Sequence, residues 1–151
     1  MYTVDASVWV NGFDQREAGH ETSRQFLDVL RTRELPIVMP NLVLIEVAAA
    51  ISRTRQKPAQ AEAFAAALGH LPHVTLRTLD EARSQQAVTL ASQHGLRGAD
   101  AVYAAVAIET GSTLVSLDGE HLTRLAAVMT VLTPAAALAS IAAEPGVGQA
   151  T

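Results

Sequence analysis

Short runs of branched apolar residues alternate along this chain with longer segments of helical character, and that alternation leaves few folds open. YTV at 2–4, IVM at 37–39, VTLRTL at 74–79, TLVSLD at 113–118 and MTVL at 129–132 read as strands. Helical stretches fall between them, at 6–13, 21–33, 41–56, 58–71, 80–95, 99–111 and 119–127, and a last one at 134–142. Strands that alternate with helices this regularly argue for a parallel sheet with helices on both faces. The punctuation agrees. Pro36 and Pro40 bracket the second strand, Asn41 is an expected N-cap, Pro58 and Pro134 each open a helix, and Gly95 closes one. With 151 residues and no internal repeat, the chain is expected to form one domain over 1–141, with a flexible C-terminal tail at 142–151.

Four solitary carboxylates interrupt the most apolar parts of this pattern. Glu46 is the only charged residue between Glu34 and Arg53, and Asp100 the only one between Arg97 and Glu109. Asp118 follows the uncharged run 110–117, and Asp5 is the first charged side chain, inside YTVDASVWV. A carboxylate in apolar surroundings is costly unless it is paired or holds a cation. No basic residue is an obvious local partner for any of the four. Asp5 and Asp118 fall at the carboxyl ends of expected strands, where ligands bind in open α/β sheets.

Singly, three of these acids have plain structural roles open to them. Asp5 and Asp118 are placed to cap the helices that follow, and Asp100 favours the positive end of its own helix. Glu46 lies in mid-helix, between Leu42 and Val43 on one side and Ala49 and Ala50 on the other, so it cannot be a cap. Taken together, the four point to one acidic pocket assembled from distant segments. Oxygen ligands alone suit Mg2+ or Mn2+, and the chemistry that needs such a site is phosphoryl transfer by an activated water.

Neighbouring residues extend the site. Ser7 and Ser116 each stand two positions from an acid; Ser116 is expected to orient Asp118 or a metal-bound water, and Ser7 is either a similar hydroxyl or a second cap. Arg53 lies two helical turns after Glu46, in reach of a substrate phosphate, though it also suits the helix C-terminus. Arg97 has a similar choice. Trp9, Phe13 and Tyr103 are expected in the core, and the five histidines show no ligand spacing.

Composition excludes much else. There is no cysteine, which removes disulfides, zinc–thiolate sites and cysteine nucleophiles. The formal charge is −4, and without the four solitary acids the remaining 11 acidic residues balance the 11 basic ones. Such a surface does not attract polyanions by itself, so handling nucleic acid requires a cation in the pocket. The amino terminus lacks the basic and cleavage features of a signal peptide, and no apolar run approaches a membrane span, so a cytoplasmic protein without membrane contact is expected. No glycine-rich phosphate loop is present.

DASVWV, LVLIEVAAAI, LRGADAVYAAVA and TLVSLD, in this order, closely resemble the PIN domain, and in particular the VapC-type ribonuclease toxins of VapBC toxin–antitoxin pairs. The resemblance runs to about Leu138. It matches Asp5, Glu46, Asp100 and Asp118 to the family's acidic quartet, and Ser116 to its hydroxyl position. It implies a PIN-like three-layer α/β fold with a parallel sheet of about five strands. It implies endoribonuclease activity dependent on Mg2+ or Mn2+, with tRNA or ribosomal RNA as the target. A homodimer and a small cognate antitoxin, whose tail enters the acidic pocket, are further implications. Residues near Leu27, Leu30, Phe64 and Leu68 are candidates for the dimer face, although core packing explains them equally well. Two rival readings are a non-catalytic module of the same fold that grips a basic peptide, and a DNA-directed nuclease.

Overall fold

A computed structural model of the protein describes residues 1–143. Five parallel strands form one sheet in the order β3-β2-β1-β4-β5. They are β1 (Tyr2–Val4), β2 (Ile37–Pro40), β3 (Val74–Arg77), β4 (Thr113–Val115) and β5 (Val131–Leu132). Register pairs Tyr2 with Ile37 on one side of β1, and Val4 with Val115 on the other. The chain therefore builds outward from β1 to β3, then crosses back to place β4 against the free side of β1. The reversal opens a crevice beyond the carboxyl ends of β1 and β4, the position at which such sheets bind ligands.

The helices are α1 (Ala6–Phe13), α2 (His20–Thr32), α3 (Leu42–Arg55), α4 (Pro58–Gly69), α5 (Glu81–His94), α6 (Gly98–Thr110), α7 (Gly119–Arg124) and α8 (Pro134–Ala143). Their main contacts join α1 to α2 and α3, α3 to α4, α2 to α8, and α5 to α6. Helix α6 lies against β1, β2 and β4. Every residue from Asp100 to Ala107 on it is buried. Four alanines in that stretch let neighbouring backbones approach closely, so a helix of low amphipathicity is held by packing on nearly all sides.

Most of the punctuation acts as expected. Asp5 accepts a hydrogen bond from the Ser7 N–H at 3.0 Å, and Asp118 accepts one from the Glu120 N–H at 2.8 Å, so both acids are also N-caps. Gly95 and Gly111 end α5 and α6 with φ of 63° each, a conformation that costs glycine nothing. Asn41 departs from expectation. Its backbone is already right-handed helical and its side chain makes no capping bond, so α3 starts without a side-chain cap.

Trp9 and Tyr103 are core, and the Trp9 indole Nε1 reaches Met39 Sδ at 3.2 Å. Phe13 is partly buried and meets Phe64 edge to face, with ring centres 4.6 Å apart. Of the two roles left open to Leu27, Leu30, Phe64 and Leu68, core packing is the one the structure shows. Leu30 and Leu68 are buried, and Leu27 and Phe64 pack against the core, because α2 and α4 bury these faces on their neighbours. Larger exposed apolar side chains lie elsewhere, among them Ile45, Leu79 and Val88. No helix among the described residues is long and apolar enough to cross a membrane. Helix α8 continues to Ala143, and the rest of the expected tail lies outside the described residues.

Candidate active site

The four acids meet at the crevice. Asp5, Glu46, Asp100 and Asp118 line one cleft of about 650 Å³, together with Ser7, Arg53, Arg97 and His121. Each comes from a different element. Asp5 caps α1 at the end of β1, Glu46 comes from the first half of α3, Asp100 from the first turn of α6, and Asp118 from the cap of α7 after β4. Asp5 and Asp100 are buried, whereas Glu46 is half-buried and Asp118 sits nearer the rim.

Each carboxylate has defined partners. Asp5 Oδ2 takes the Ser7 N–H and lies 3.4 Å from Ser116 Oγ. Glu46 Oε2 accepts the Tyr103 hydroxyl at 2.7 Å. Asp100 Oδ2 pairs with Arg97 Nε at 3.0 Å, and Asp118 Oδ2 with Arg97 Nη2 at 2.6 Å. Glu120 lies 3.5 Å from the same guanidinium. The expectation that the acids lack a basic partner is thereby corrected. Arg97 precedes Asp100 by three residues, and the turn into α6 folds its fork over both Asp100 and Asp118. It is engaged with acids rather than free.

The two serines serve as struts. Ser7 Oγ accepts the Leu117 N–H at 3.1 Å, tying α1 to the loop after β4. Ser116 does not line the cleft; it is fully buried beneath it and accepts the Asp118 N–H at 3.0 Å. Arg53 reaches the cleft wall, while its neighbour Arg55 turns away to pair with Asp14 at 2.7 Å.

The electrostatics follow from this geometry. Burial raises the Glu46 carboxyl above its ordinary value, the negative charges of Asp5 and Asp100 add to the rise, and the Tyr103 hydrogen bond and His121 oppose it. Burial raises the Tyr103 phenol strongly, with Asp5 and Glu46 contributing, so it remains a hydrogen-bond donor. Burial also pushes Asp118 upward, but the Glu120 N–H and Arg97 together overcome it and leave this carboxyl lowered. The bonds to Asp100 and Asp118 raise Arg97 further, so its charge is permanent.

Two contributors escaped the sequence reading. His121, dismissed for want of ligand spacing, is buried under the cleft with Nδ1 2.8 Å from Ser116 Oγ and Nε2 3.0 Å from Asp100 Oδ1. Tyr103 was assigned to the core, and its ring is there, but its hydroxyl supports Glu46. A signal existed for both. His121 follows Asp118 by three residues and Tyr103 follows Asp100 by three, so each shares a helix face with an acid.

Among the described residues, no three His, Asp or Glu side chains already converge as a finished metal cage. The cleft gathers carboxylates whose charge is partly balanced from within by Arg97.

Comparison with known proteins agrees with this architecture. VapC20 of Mycobacterium tuberculosis, a toxin that cleaves the sarcin–ricin loop, superposes with a TM-score of 0.70 at 23% identity, covering 86% of this chain and 97% of its own. A toxin–antitoxin complex from Klebsiella pneumoniae gives 0.63 at 17% identity, covering 89% and 98%. VapBC2 of Rickettsia felis, bound to a DNA fragment from its promoter, gives 0.63 at 17% identity, covering 86% and 96%. No curated protein matches the chain by sequence. The PIN domain profile matches residues 2–128, which takes in all four acids, and the chain belongs to the PIN domain family.

Proposed function

We propose that the protein is a divalent-metal-dependent endoribonuclease, the toxin of a toxin–antitoxin pair. The observation that carries this reading is the meeting of Asp5, Glu46, Asp100 and Asp118 from four separate elements in one cleft at the sheet's topological reversal. The donor set fits Mg2+ or Mn2+. It is all oxygen, and burial, with the nearby charges of Asp5 and Asp100 added, raises the Glu46 carboxyl, an effect that a bound cation would offset. Asp5, Glu46, Asp100 and Asp118 would hold the ion. Bound there, it would supply a water of lowered pKa and positive charge for the leaving oxygen.

The chain's own residues do the rest. Ser7 and Ser116 fix the turn that carries Asp118. Tyr103 fixes Glu46. Arg53 on the wall, and Arg97 if released from its acids, would meet phosphates flanking the cut. The ribosomal target named for VapC20 makes ribosomal RNA a first candidate beside tRNA. The complexes among the structural neighbours support a small antitoxin as partner. Asp100 and Asp118 already accept a guanidinium, so a basic antitoxin segment has a chemically suitable place to enter. A homodimer is part of the same reading.

The test is incubation of antitoxin-free protein with total RNA, in Mg2+ or Mn2+ and in chelator, beside Asp5→Asn and Asp100→Asn. Discrete fragments that need metal and vanish in both variants are expected. Cleavage that survives in the variants would refute the assignment of these acids. Folded protein that cleaves nothing but binds basic peptides would favour the non-catalytic module.

A further inference from the structure

The imidazole of His121 is 1% exposed, yet it borders the acidic cleft from within. Its surroundings determine its orientation. Ser116 Oγ accepts the Asp118 N–H at 3.0 Å, which leaves the hydroxyl hydrogen to be donated. His121 Nδ1 at 2.8 Å is a nearer acceptor than Asp5 Oδ2 at 3.4 Å. With Nδ1 accepting, the ring hydrogen of the neutral imidazole belongs on Nε2, the atom facing Asp100 Oδ1 at 3.0 Å. That approach is off the line of a good hydrogen bond, and Nε2 remains a buried polar atom without an aligned partner. An unsatisfied buried N–H is costly, so the ring favours any rotation of the Asp100 carboxylate that aligns it. One chain of contacts thus runs from the Asp118 backbone through Ser116 and His121 to Asp100, with Asp5 at its side.

We propose that His121 is a positioning residue of the acidic site, whose buried imidazole ties Asp100 to Ser116 and so sets how Asp100, Asp5 and Asp118 present their oxygens to a divalent cation. This rests on the metal-dependent reading above. Partners that orient carboxylate ligands from behind typically affect metal affinity by about 10- to 100-fold.

The experiment measures Mn2+ binding by calorimetry and thermal stability in chelator, for wild type, His121→Phe and His121→Gln. The first substitution fills similar space without a donor; the second restores an N–H near the Nε2 position. The expected result is a loss of Mn2+ affinity of about 10- to 100-fold in His121→Phe, with most of it regained in His121→Gln at comparable melting temperature. Should His121→Phe fail to fold, Ser116→Ala cuts the same chain from its other end and is expected to weaken Mn2+ binding likewise. His121→Gln combined with Ser116→Ala should then lose no more than Ser116→Ala alone. If wild type binds Mn2+ and the donor-free variants bind it equally well, the role of His121 is overturned and the metal site stands. If folded wild type binds no Mn2+, the metal site itself is overturned, and this role with it.

Discussion

Tyr103 on α6 donates its phenol hydrogen to Glu46 Oε2 on α3 across 2.7 Å, joining two helices that approach the cleft from different parts of the chain. The ring is packed in the core while the hydroxyl reaches the acid, so Tyr103→Phe removes one oxygen and little else. A hydrogen bond to a charged group contributes about 1.5–3 kcal/mol when buried, and the half-buried Glu46 places this one toward the lower end. Tyr103→Phe should lower the melting temperature by a few degrees. It should also weaken Mn2+ binding, because Glu46 loses the bond that favours its charged form. Scanning calorimetry and Mn2+ titration check both, and an unchanged Mn2+ affinity would mean that Glu46 does not face the ion.

Arg97 bridges Asp100 and Asp118, so a cation entering the cleft must compete with a resident guanidinium. Arg97→Gln should therefore bind Mn2+ more tightly. Arg97 is largely exposed and its pairing is screened by water, so the gain should be no more than about fivefold. In chelator the same variant should be less stable than wild type, since the acids lose their internal counter-charge. If Arg97 also meets substrate phosphate, KM for RNA rises even as Mn2+ affinity improves. Unchanged Mn2+ affinity in Arg97→Gln would show that the ion pairs do not oppose the metal.

Asp14 provides a pH-dependent test away from the cleft. Its carboxylate, buried at the end of α1, takes the Arg16 side chain and backbone N–H and also Arg55 from α3, and these hold its pKa well below the usual carboxylate range. A depressed carboxylate stabilises the fold fully above its unfolded pKa of about 3.9, and that contribution fades as pH falls below it. Asp14→Asn should therefore lose stability to urea at pH 7, with the gap from wild type narrowing toward pH 3. Parallel denaturation curves at the two pH values measure it. A gap that widens on acidification would contradict the pairing.

Gly111 isolates a backbone effect. Its φ is +63° and a Cβ placed there would meet no atom within 4 Å, so Gly111→Ala costs only the left-handed conformation, about 1–2 kcal/mol. Gly111→Asn should recover part of that, since asparagine tolerates this region better. Equal melting temperatures for all three proteins would mean that the end of α6 relaxes freely.

Much of this was legible in the chain because its signals are local. Strand positions follow from short β-branched runs bounded by proline, and helix ends from Pro58, Gly95, Asp5 and Asp118. The acids stand out because each is the lone charge in an apolar stretch. What could not be read depends on how distant segments close on each other. Arg97 and Asp118 are 21 residues apart, and only the return of β4 beside β1 brings them together. His121 looked ordinary because its importance comes from lying under Asp100, across the sheet reversal. The choice between dimer face and core stayed open for Leu30 and Leu68 because they have the helical spacing of any apolar face, whichever neighbour covers it. Asn41 has the chemistry of a cap, but its backbone had already entered the helix.

The enclosure of α6 divides the cleft into a floor and a rim with different freedom to change. Asp100 and Tyr103 stand on a helix whose residues 100–107 are all buried, so substitutions there that change side-chain volume disturb the core, as the near-isosteric Asp100→Asn and Tyr103→Phe do not. Ile45, Arg53 and Leu117 border the same cleft from its outer wall, and Ile45 and Leu117 are largely exposed. Side chains at the rim can vary at little cost in stability. An engineer seeking to change what this cleft accepts would therefore keep α6 intact and diversify those three positions.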